Sequence, residues 1–329
     1  MTNMSDVKCM VADSESQRQI DITPILRSVK WEETLLDQPG KCTLEYLESG
    51  LDKPFMEGSN VVVSVKDETV FDGYVFKRKR TEKEACTITL FDRLRYLNNK
   101  DTKVFNNATA PEIFSQLCSQ QELPFRVVDG SDYKTAPCVH DNKSLYSMII
   151  QALDETMVAT GKYLMLRDNR GTLEMVDVAN LTTDLLIGDG SLLTGFDYTS
   201  SIDADTYNYV KLIQENKDTK KREVYVAMDS STIAKWGRLQ YFEKMDEKAN
   251  EAQIVARANQ LLKLYNRKTR SLAVTCLGDT RVRAGSGVGL AIDKLQDEGV
   301  PYMQMVFCSK VSHTISKELH KMDLTLEVV

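Results

Sequence analysis

Cysteine and histidine are the residue types in this sequence that could support metal or nucleophilic chemistry. Cys138 and His140 are two positions apart, so they could share one face of a strand, and Cys118 could approach them, but nothing in the sequence shows this. His313 and His320 are an odd number of positions apart, so on one regular strand they would face opposite sides. We interpret all of them as structural or solvent-facing residues rather than as a zinc site.

Short catalytic motifs are missing from the sequence. It contains no Cys-x-x-Cys, no His-Glu-x-x-His, no Gly-x-Ser-x-Gly and no phosphate-binding loop. The segment Gly285-Ser286-Gly287-Val288-Gly289 could be taken for a dinucleotide-binding loop, but such a loop opens a helix, and this one leads into a predicted strand. We therefore predict no catalytic residue, no cofactor-binding residue, no metal ligand and no enzymatic activity.

Two basic clusters, at residues 77–80 and 217–222, are the segments that could contact nucleic acid. The first ends a predicted strand, and the second lies between predicted strands at 209–214 and 224–226. A nucleic-acid-binding face usually adds aromatic residues or a further basic run. We therefore interpret both clusters as solvated hairpin tips.

Composition places the chain among globular proteins with several compact units. The 329 residues include 42% hydrophobic and 27% charged residues, and a net charge of −6 has the wrong sign for a protein that mainly coats nucleic acid or an anionic membrane. No signal peptide or membrane-spanning run is visible, so we expect synthesis in the cytosol. Seven scattered cysteines are an odd number, which argues against a disulfide framework and predicts reduced, mostly buried thiols.

The elements that must position these residues are mainly strands. Alternating apolar residues and turn signals predict strands at 42–47, 61–65, 70–76, 85–91, 272–276, 288–292, 303–311 and 322–328. Thr109 and Glu112 form a capping-box pattern that predicts a helix over 110–121. Leu145, Met148 and Ile149 begin a helical repeat that Gly161 can end. A hairpin follows, with strands at 163–166 and 172–176 around the turn at 168–171, and a charged helix is predicted at about 247–265.

Two β-rich regions share one layout. Gly58-Ser59 precedes the strand at 61–65 as Gly285-Ser286 precedes the strand at 288–292. In both regions a strand comes before the turn, and an apolar pair and then a last strand come after it. In the first region these are the strand at 44–47, the pair Val75-Phe76 and the strand at 87–90. In the second they are the strand at 274–277, the pair Val306-Phe307 and the strand at 323–326. The alternative is that all antiparallel β-domains alternate and the match is chance. The order and the face agree throughout, which favours an internal duplication.

The predicted fold is α+β and mainly β, with two similar antiparallel β-barrel domains and an inserted helix-rich α+β unit. We expect the first barrel at residues 1–98 and the insertion, with two helices and a hairpin, at 99–180. The second barrel, with the charged helix, is expected at 181–329.

Several segments resemble the hub proteins of contractile phage tails. In the N-terminal half they are Phe71-Asp72-Gly73-Tyr74-Val75, Thr87-Ile88-Thr89-Leu90-Phe91-Asp92-Arg93-Leu94 and Thr109-Ala110-Pro111-Glu112-Ile113. The C-terminal half is similar to the hub branch of defective prophages and phage-tail-like bacteriocins of Gram-positive bacteria, through residues 233–240, Val282-Arg283-Ala284-Gly285, Ser312-His313 and residues 322–326. These motifs are turn and packing residues, and the resemblance carries over no catalytic residue.

The resemblance implies a structural baseplate role without chemistry. Three subunits would form a ring between a hexameric tail tube, or its initiator, and a trimeric central spike, in contact with other baseplate proteins. Barrel one of each chain would lie beside barrel two of the next, around an acidic or neutral lumen that DNA only transits. Implied locations are the bacterial cytoplasm during assembly and then the baseplate of a phage, bacteriocin or injection device, with no membrane contact. The alternatives are a cell-wall hydrolase component of the same particle and an unrelated carbohydrate-binding β-protein.

Overall fold

The computed structural model describes residues 2–12, 18–36, 38–47, 56–82, 85–203, 205–215, 222–246 and 249–327. The described part of the first 91 residues contains seven strands: β1 (Val7–Ala12), β2 (Gln19–Asp21), β3 (Leu26–Thr34), β4 (Lys41–Leu47), β5 (Asn60–Val65), β6 (Glu68–Arg80) and β7 (Ala85–Phe91). They are antiparallel in the order β3-β4-β7-β6-β5-β1-β2 and fold around one core that includes Val61, Ile88 and Leu90. The four strands predicted here are confirmed. The structure adds β1, β2 and β3.

The next segment contains both predicted helices. Its elements are β8 (Lys100–Phe105), α1 (Ala110–Gln120), β9 (Phe125–Val127), β10 (Cys138–Ser144), α2 (Leu145–Thr160), β11 (Leu164–Asn169) and β12 (Thr172–Asp177). Helix α1 begins with the predicted capping box of Thr109 and Glu112. Helix α2 ends at Gly161, whose φ of +76° is the left-handed conformation that glycine adopts readily. The predicted hairpin is β11 and β12, with a tighter turn at Arg170 and Gly171.

The remaining elements form a second barrel and a smaller unit. They are β13 (Thr182–Gly188), β14 (Leu193–Ser201), β15 (Tyr209–Glu215), β16 (Arg222–Met228), α3 (Ser230–Trp236), β17 (Gln240–Lys244), α4 (Glu251–Tyr265), β18 (Thr269–Leu277), β19 (Gly287–Ala291), β20 (Gln304–Ile315) and β21 (His320–Glu327). The strand predicted at 303–311 continues four residues further, to Ile315. Residue 328 of the last predicted strand lies outside the described residues.

The charged helix belongs to a small unit of its own. Strands β16, β15 and β17 form a separate three-stranded sheet, and Ile254 and Leu261 of α4 pack against Val210 and Leu212. The sequence predicts the helix and strands at 209–214 and 224–226, but it places them inside a barrel domain and does not predict β17. The helix also begins at Glu251 rather than at 247, because Asn250 caps it, and residue 247 lies outside the described part of the chain. The division of the whole chain at residues 98 and 180 stays a prediction.

The two barrels repeat the same strand pairings. In the first, β4 pairs with β7, β7 with β6 and β6 with β5. In the second, β18 pairs with β21, β21 with β20 and β20 with β19. A further strand lies on the same edge of each set, β3 beside β4 and β14 beside β18. This matching order confirms the internal duplication.

Hydrogen bonds at the Gly-Ser turns match the two barrels residue by residue. Gly58 N donates to Val75 O at 2.8 Å, and Gly285 N donates to Cys308 O at 2.8 Å. Val75 N and Cys308 N each return a hydrogen bond to the carbonyl of the serine in their turn, at 3.0 and 2.9 Å. Both glycines have a positive φ, +90° and +85°, in the region that glycine tolerates best. Val75 and Cys308 are therefore equivalent.

A β-bulge lies at the same place in both barrels. The register of β6 with β7 shifts after Val75, and that of β20 with β21 shifts after Cys308. Phe307 therefore matches Tyr74, so the sequence-based match of Phe307 with Phe76 is wrong by two residues. A slip of two keeps every side chain on its face, so the apolar pattern cannot detect it.

Candidate functional site

Cys138 and His140, whose spacing allows them to share a strand face, are in contact. The Cys138 Sγ lies 3.4 Å from the His140 Nε2, while Cys118 is buried in the core around α1 and α2. Burial raises the pKa of the Cys138 thiol and lowers the pKa of His140, so both groups are neutral near pH 7. A neutral thiol is neither a strong nucleophile nor a metal ligand. Among the described residues, no three His, Cys, Asp or Glu side chains could hold a metal ion.

His313 and His320 face each other, so the expectation of opposite faces is wrong. They lie on the neighbouring strands β20 and β21, and the His313 Nδ1 is 3.0 Å from the His320 Nε2. The His313 Nε2 is 2.8 Å from the Val282 carbonyl, which can only accept, so His313 carries its proton on Nε2. His313 Nδ1 therefore accepts from His320 Nε2, and burial lowers the pKa of both rings to about 4.

The histidine pair belongs to the seam between the barrels, formed by strands β3 and β20. These strands are antiparallel over six residue pairs, from Val29 opposite Ile315 to Thr34 opposite Lys310. The indole of Trp31 in β3 stacks on the ring of His313, with centroids 4.4 Å apart. Ile315 packs into the core of the first barrel. The seam therefore joins the barrels by backbone hydrogen bonds and by a shared core.

Ion pairs fasten the barrels to the α+β segment beside the seam. Arg283, in the loop before β19, donates from Nη2 to Glu33 of β3 at 2.9 Å and to the Asp168 carbonyl at 2.8 Å. The Asp168 carboxylate accepts from Arg93 N at 3.0 Å, and the Arg93 guanidinium lies 3.3 Å from Asp72 of β6. One network thus joins the first barrel, the β11–β12 turn and the second barrel.

Residues from several of the segments that carry the resemblance lie in or beside this network. Asp72, Arg93 and Arg283 come from three of those segments and meet here, and Asp92 accepts from the Gly40 backbone N at 2.8 Å. Burial, together with the charge of Asp168, raises the pKa of Asp92 well above its usual value. Their spacing in sequence gave no sign that they converge. All four take part in contacts that hold the architecture together.

Among the open strand edges of the described residues, two lie on long strands of the barrels. β14 pairs only with β18, and no described strand lies on its other side. The outer edge of β6 pairs with β5 up to Tyr74. Beyond it Lys77, Arg78 and Lys79 are exposed; β7 pairs with their inner edge, and no described strand pairs with their outer edge. These three are part of the first basic cluster, which lies on the predicted hairpin. Of the second cluster only Arg222 is described, and it forms an ion pair with Glu215 at 2.9 Å.

A polar hollow of about 510 Å³ lies on the outer face of the sheet, across the seam. Its lining includes Lys30 and Glu32 of β3, Lys310 of β20 and Asp323 of β21. Charges of both signs alternate there. The hollow therefore lacks the single-sign surface that nucleic-acid binding requires.

Comparison with curated proteins gives relatives from Bacillus subtilis strain 168. The chain is 36% identical to the uncharacterized protein YqbQ over 204 residues, which span 61% of each protein. It is 28% identical to the phage-like element PBSX protein XkdQ over 250 residues, 75% of this chain and 70% of that protein.

Solved structures share the fold over almost the whole chain. A tail protein from Neisseria meningitidis matches 98% of this chain and 96% of its own length, with a TM-score of 0.71 at 12% identity. The Escherichia coli c3393 protein, a type VI secretion component described as structurally similar to the T4 tail proteins gp27 and gp5, matches 93% of this chain and 74% of its own length, with a TM-score of 0.56 at 11% identity.

The fold of this chain is thus the fold of these tail and secretion proteins. A family model with the description YQBQ-like matches residues 29–327, and the chain belongs to that family. In the part of the chain that the structure describes, no helix is long and apolar enough to cross a membrane.

Proposed function

We propose that three copies of this chain form the hub ring of a contractile phage-tail particle, between the hexameric tail tube and the trimeric central spike. Each chain contributes two equivalent barrels, so three chains present six similar units. Such a ring has true threefold and approximate sixfold symmetry, and it can match a hexamer on one side and a trimer on the other.

The observation that carries this proposal is the residue-level match of the two barrels. The same turn bonds and the same bulge recur around Val75 and Cys308. A barrel whose register is kept this closely can occupy equivalent positions in a ring. The seam supports the same proposal, because it shows how the two barrels of one chain pack against each other.

The ring acts through protein contacts alone. The chain is made in the bacterial cytoplasm, enters the particle there and meets the tube protein, or its initiator, and the spike. Its lumen is acidic or neutral, so DNA in transit is not retained. Incubation with peptidoglycan, peptides and nucleic acids should release no product above background. Turnover that a single acidic substitution abolishes, with assembly intact, would favour the cell-wall hydrolase instead.

The test is a reconstruction of particles from a strain that produces this chain, beside a strain that lacks it. We expect three copies around the tail axis at the end of the tube, and particles without tubes when the chain is missing. Normal tubes without the chain, six or more equivalent copies around the axis, or a position away from the axis would overturn the proposal.

A further inference from the structure

The seam uses one particular part of the β20 edge. The first residues of β20, 304–307, pair with β19, and residues 310–315 of the same edge pair with β3. The long strand thus spans two partners: one belongs to its own barrel and the other to the neighbouring barrel. The second half of this edge, residues 310–315, is therefore covered by a strand of the neighbouring barrel.

The first barrel has an equivalent long strand in β6. The equivalence of Val75 with Cys308 makes Lys77 the counterpart of Lys310. Residues 68–74 of β6 pair with β5, as residues 304–307 of β20 pair with β19. The half of β6 that corresponds to the seam of β20 is the open edge at Lys77, Arg78 and Lys79.

Strand β14 is the counterpart of β3. Both carry a bulge at the same place, after Leu193 in β14 and after Leu26 in β3. Phe196 pairs with Val274 as Val29 pairs with Leu44. In β3, the edge facing away from β4 carries β20. In β14, the edge facing away from β18 is open in the described chain.

The two open edges differ in how they are protected. Strand β14 has nine residues, no proline and a single charged side chain, Asp197, so it lacks the devices that keep exposed edges from pairing. The open half of β6 carries four consecutive cations, residues 77–80, of which Arg78 forms an ion pair with Glu57 at 3.1 Å. The remaining positive charge repels a second copy of the same edge. Pairing of β6 with β14 is therefore favoured over pairing of two β6 edges.

From this equivalence we infer that β6 of one chain pairs antiparallel with β14 of the next, in the register of the seam. This contact repeats the contact of β20 with β3. It rests on the proposed ring, because the open edges of β6 and β14 can both be paired in every chain only if the chains form a closed ring. Transferring the observed register gives three pairs of opposed residues: Lys77 with Ser201, Arg78 with Ser200, and Lys79 with Thr199.

Paired cysteines test the register. The variant Lys79→Cys with Thr199→Cys places two thiols directly opposite each other, within the distance at which a disulfide forms. This variant and its control also carry Cys138→Ser, because Cys138 is the one native cysteine among the seven that is not buried. The shifted control, Lys79→Cys with Ser200→Cys, moves one thiol by a residue and to the other face of the sheet.

A matched positive control lies inside the chain. Glu32 is opposite Ser312 in the seam, and these two residues correspond to Thr199 and Lys79. The variant Glu32→Cys with Ser312→Cys should form an intrachain disulfide under the same oxidation, which shows that the reaction conditions suffice. The variants replace the native chain in the producing strain, and purified particles are oxidised and resolved by non-reducing electrophoresis.

We expect at least about tenfold more covalent trimer from the directly opposed pair than from the shifted pair. Equal or no cross-linking for both pairs, in particles that hold three copies on the axis and with the intrachain control oxidised, would overturn the β6–β14 contact and leave the hub proposal standing. Particles that lack the chain on their axis, or hold six copies, would overturn the hub and this contact together.

Discussion

The network at Arg283 offers a direct test of how the barrels are held together. Arg283 donates three hydrogen bonds to the Glu33 carboxylate, at 2.9, 3.1 and 3.1 Å, and one to the Asp168 carbonyl. Arg283→Met removes all four and leaves Glu33 mostly buried without its partner. Breaking a buried ion pair from one side costs about 3–5 kcal/mol. The side chain of Arg283 is 25% exposed, so water offsets part of the loss, and we expect about 2–4 kcal/mol.

The matched control is two residues away. Arg281 forms ion pairs with Asp184 and Asp279, but its side chain is 54% exposed, so Arg281→Met should leave the urea midpoint almost unchanged. Urea unfolding followed by tryptophan fluorescence measures both, since Trp31 lies in the seam. A double variant with Glu33→Gln should cost less than the sum of the single changes, because both halves of the pair are then gone. Equal losses for Arg283→Met and Arg281→Met would refute the reasoning.

Three further outcomes are expected. His313 and His320 have pKa values of about 4 in the folded chain and near 6.5 in the unfolded chain, so the unfolded chain binds more protons between these pH values. The free energy of unfolding should therefore fall as the pH drops from about 6.5 to 4. Urea midpoints measured across this range should show a smaller pH dependence for His320→Gln. Gly278→Ala places a Cβ 2.2 Å from the His320 ring and should destabilise the fold by about 1–3 kcal/mol, whereas Gly195→Ala, with open space around it, should cost under about 1 kcal/mol; similar urea midpoints for the two would contradict the packing at His320. In a thiol-labelling assay of the folded protein, one cysteine per chain, Cys138, should react. A folded Cys138→Ser variant that is still labelled rapidly would contradict the burial of the other six cysteines.

Local signals predicted the elements that carry their own pattern. The strands β4 to β7 alternate in burial, and α1 and α2 have caps that are legible in the sequence. The three-stranded sheet of β15, β16 and β17 was not recognised as a unit, because the partnership of β15 with β17 is parallel and no turn links them.

Contacts between distant segments could not be predicted from spacing. The odd spacing of His313 and His320 predicts opposite faces only if both lie on one strand, whereas a hairpin turn between them brings them face to face. Arg283 and Glu33 are 250 positions apart and meet only because β3 and β20 pair. The seam, the ion-pair network and the open edges all depend on which strands become neighbours, and alternation within a strand carries no information about that.

The seam also determines when the first barrel can be completed during synthesis. Its core includes Ile315, and the outer edge of β3 is covered by residues 310–315, so both remain unfinished until these residues have left the ribosome. The Met4 amide likewise waits for the carbonyl of Ser316, at 3.2 Å. Contacts over such sequence separations form late and slowly. A nascent or truncated chain that lacks residues 310–315 therefore exposes the β3 edge and cannot complete the first barrel.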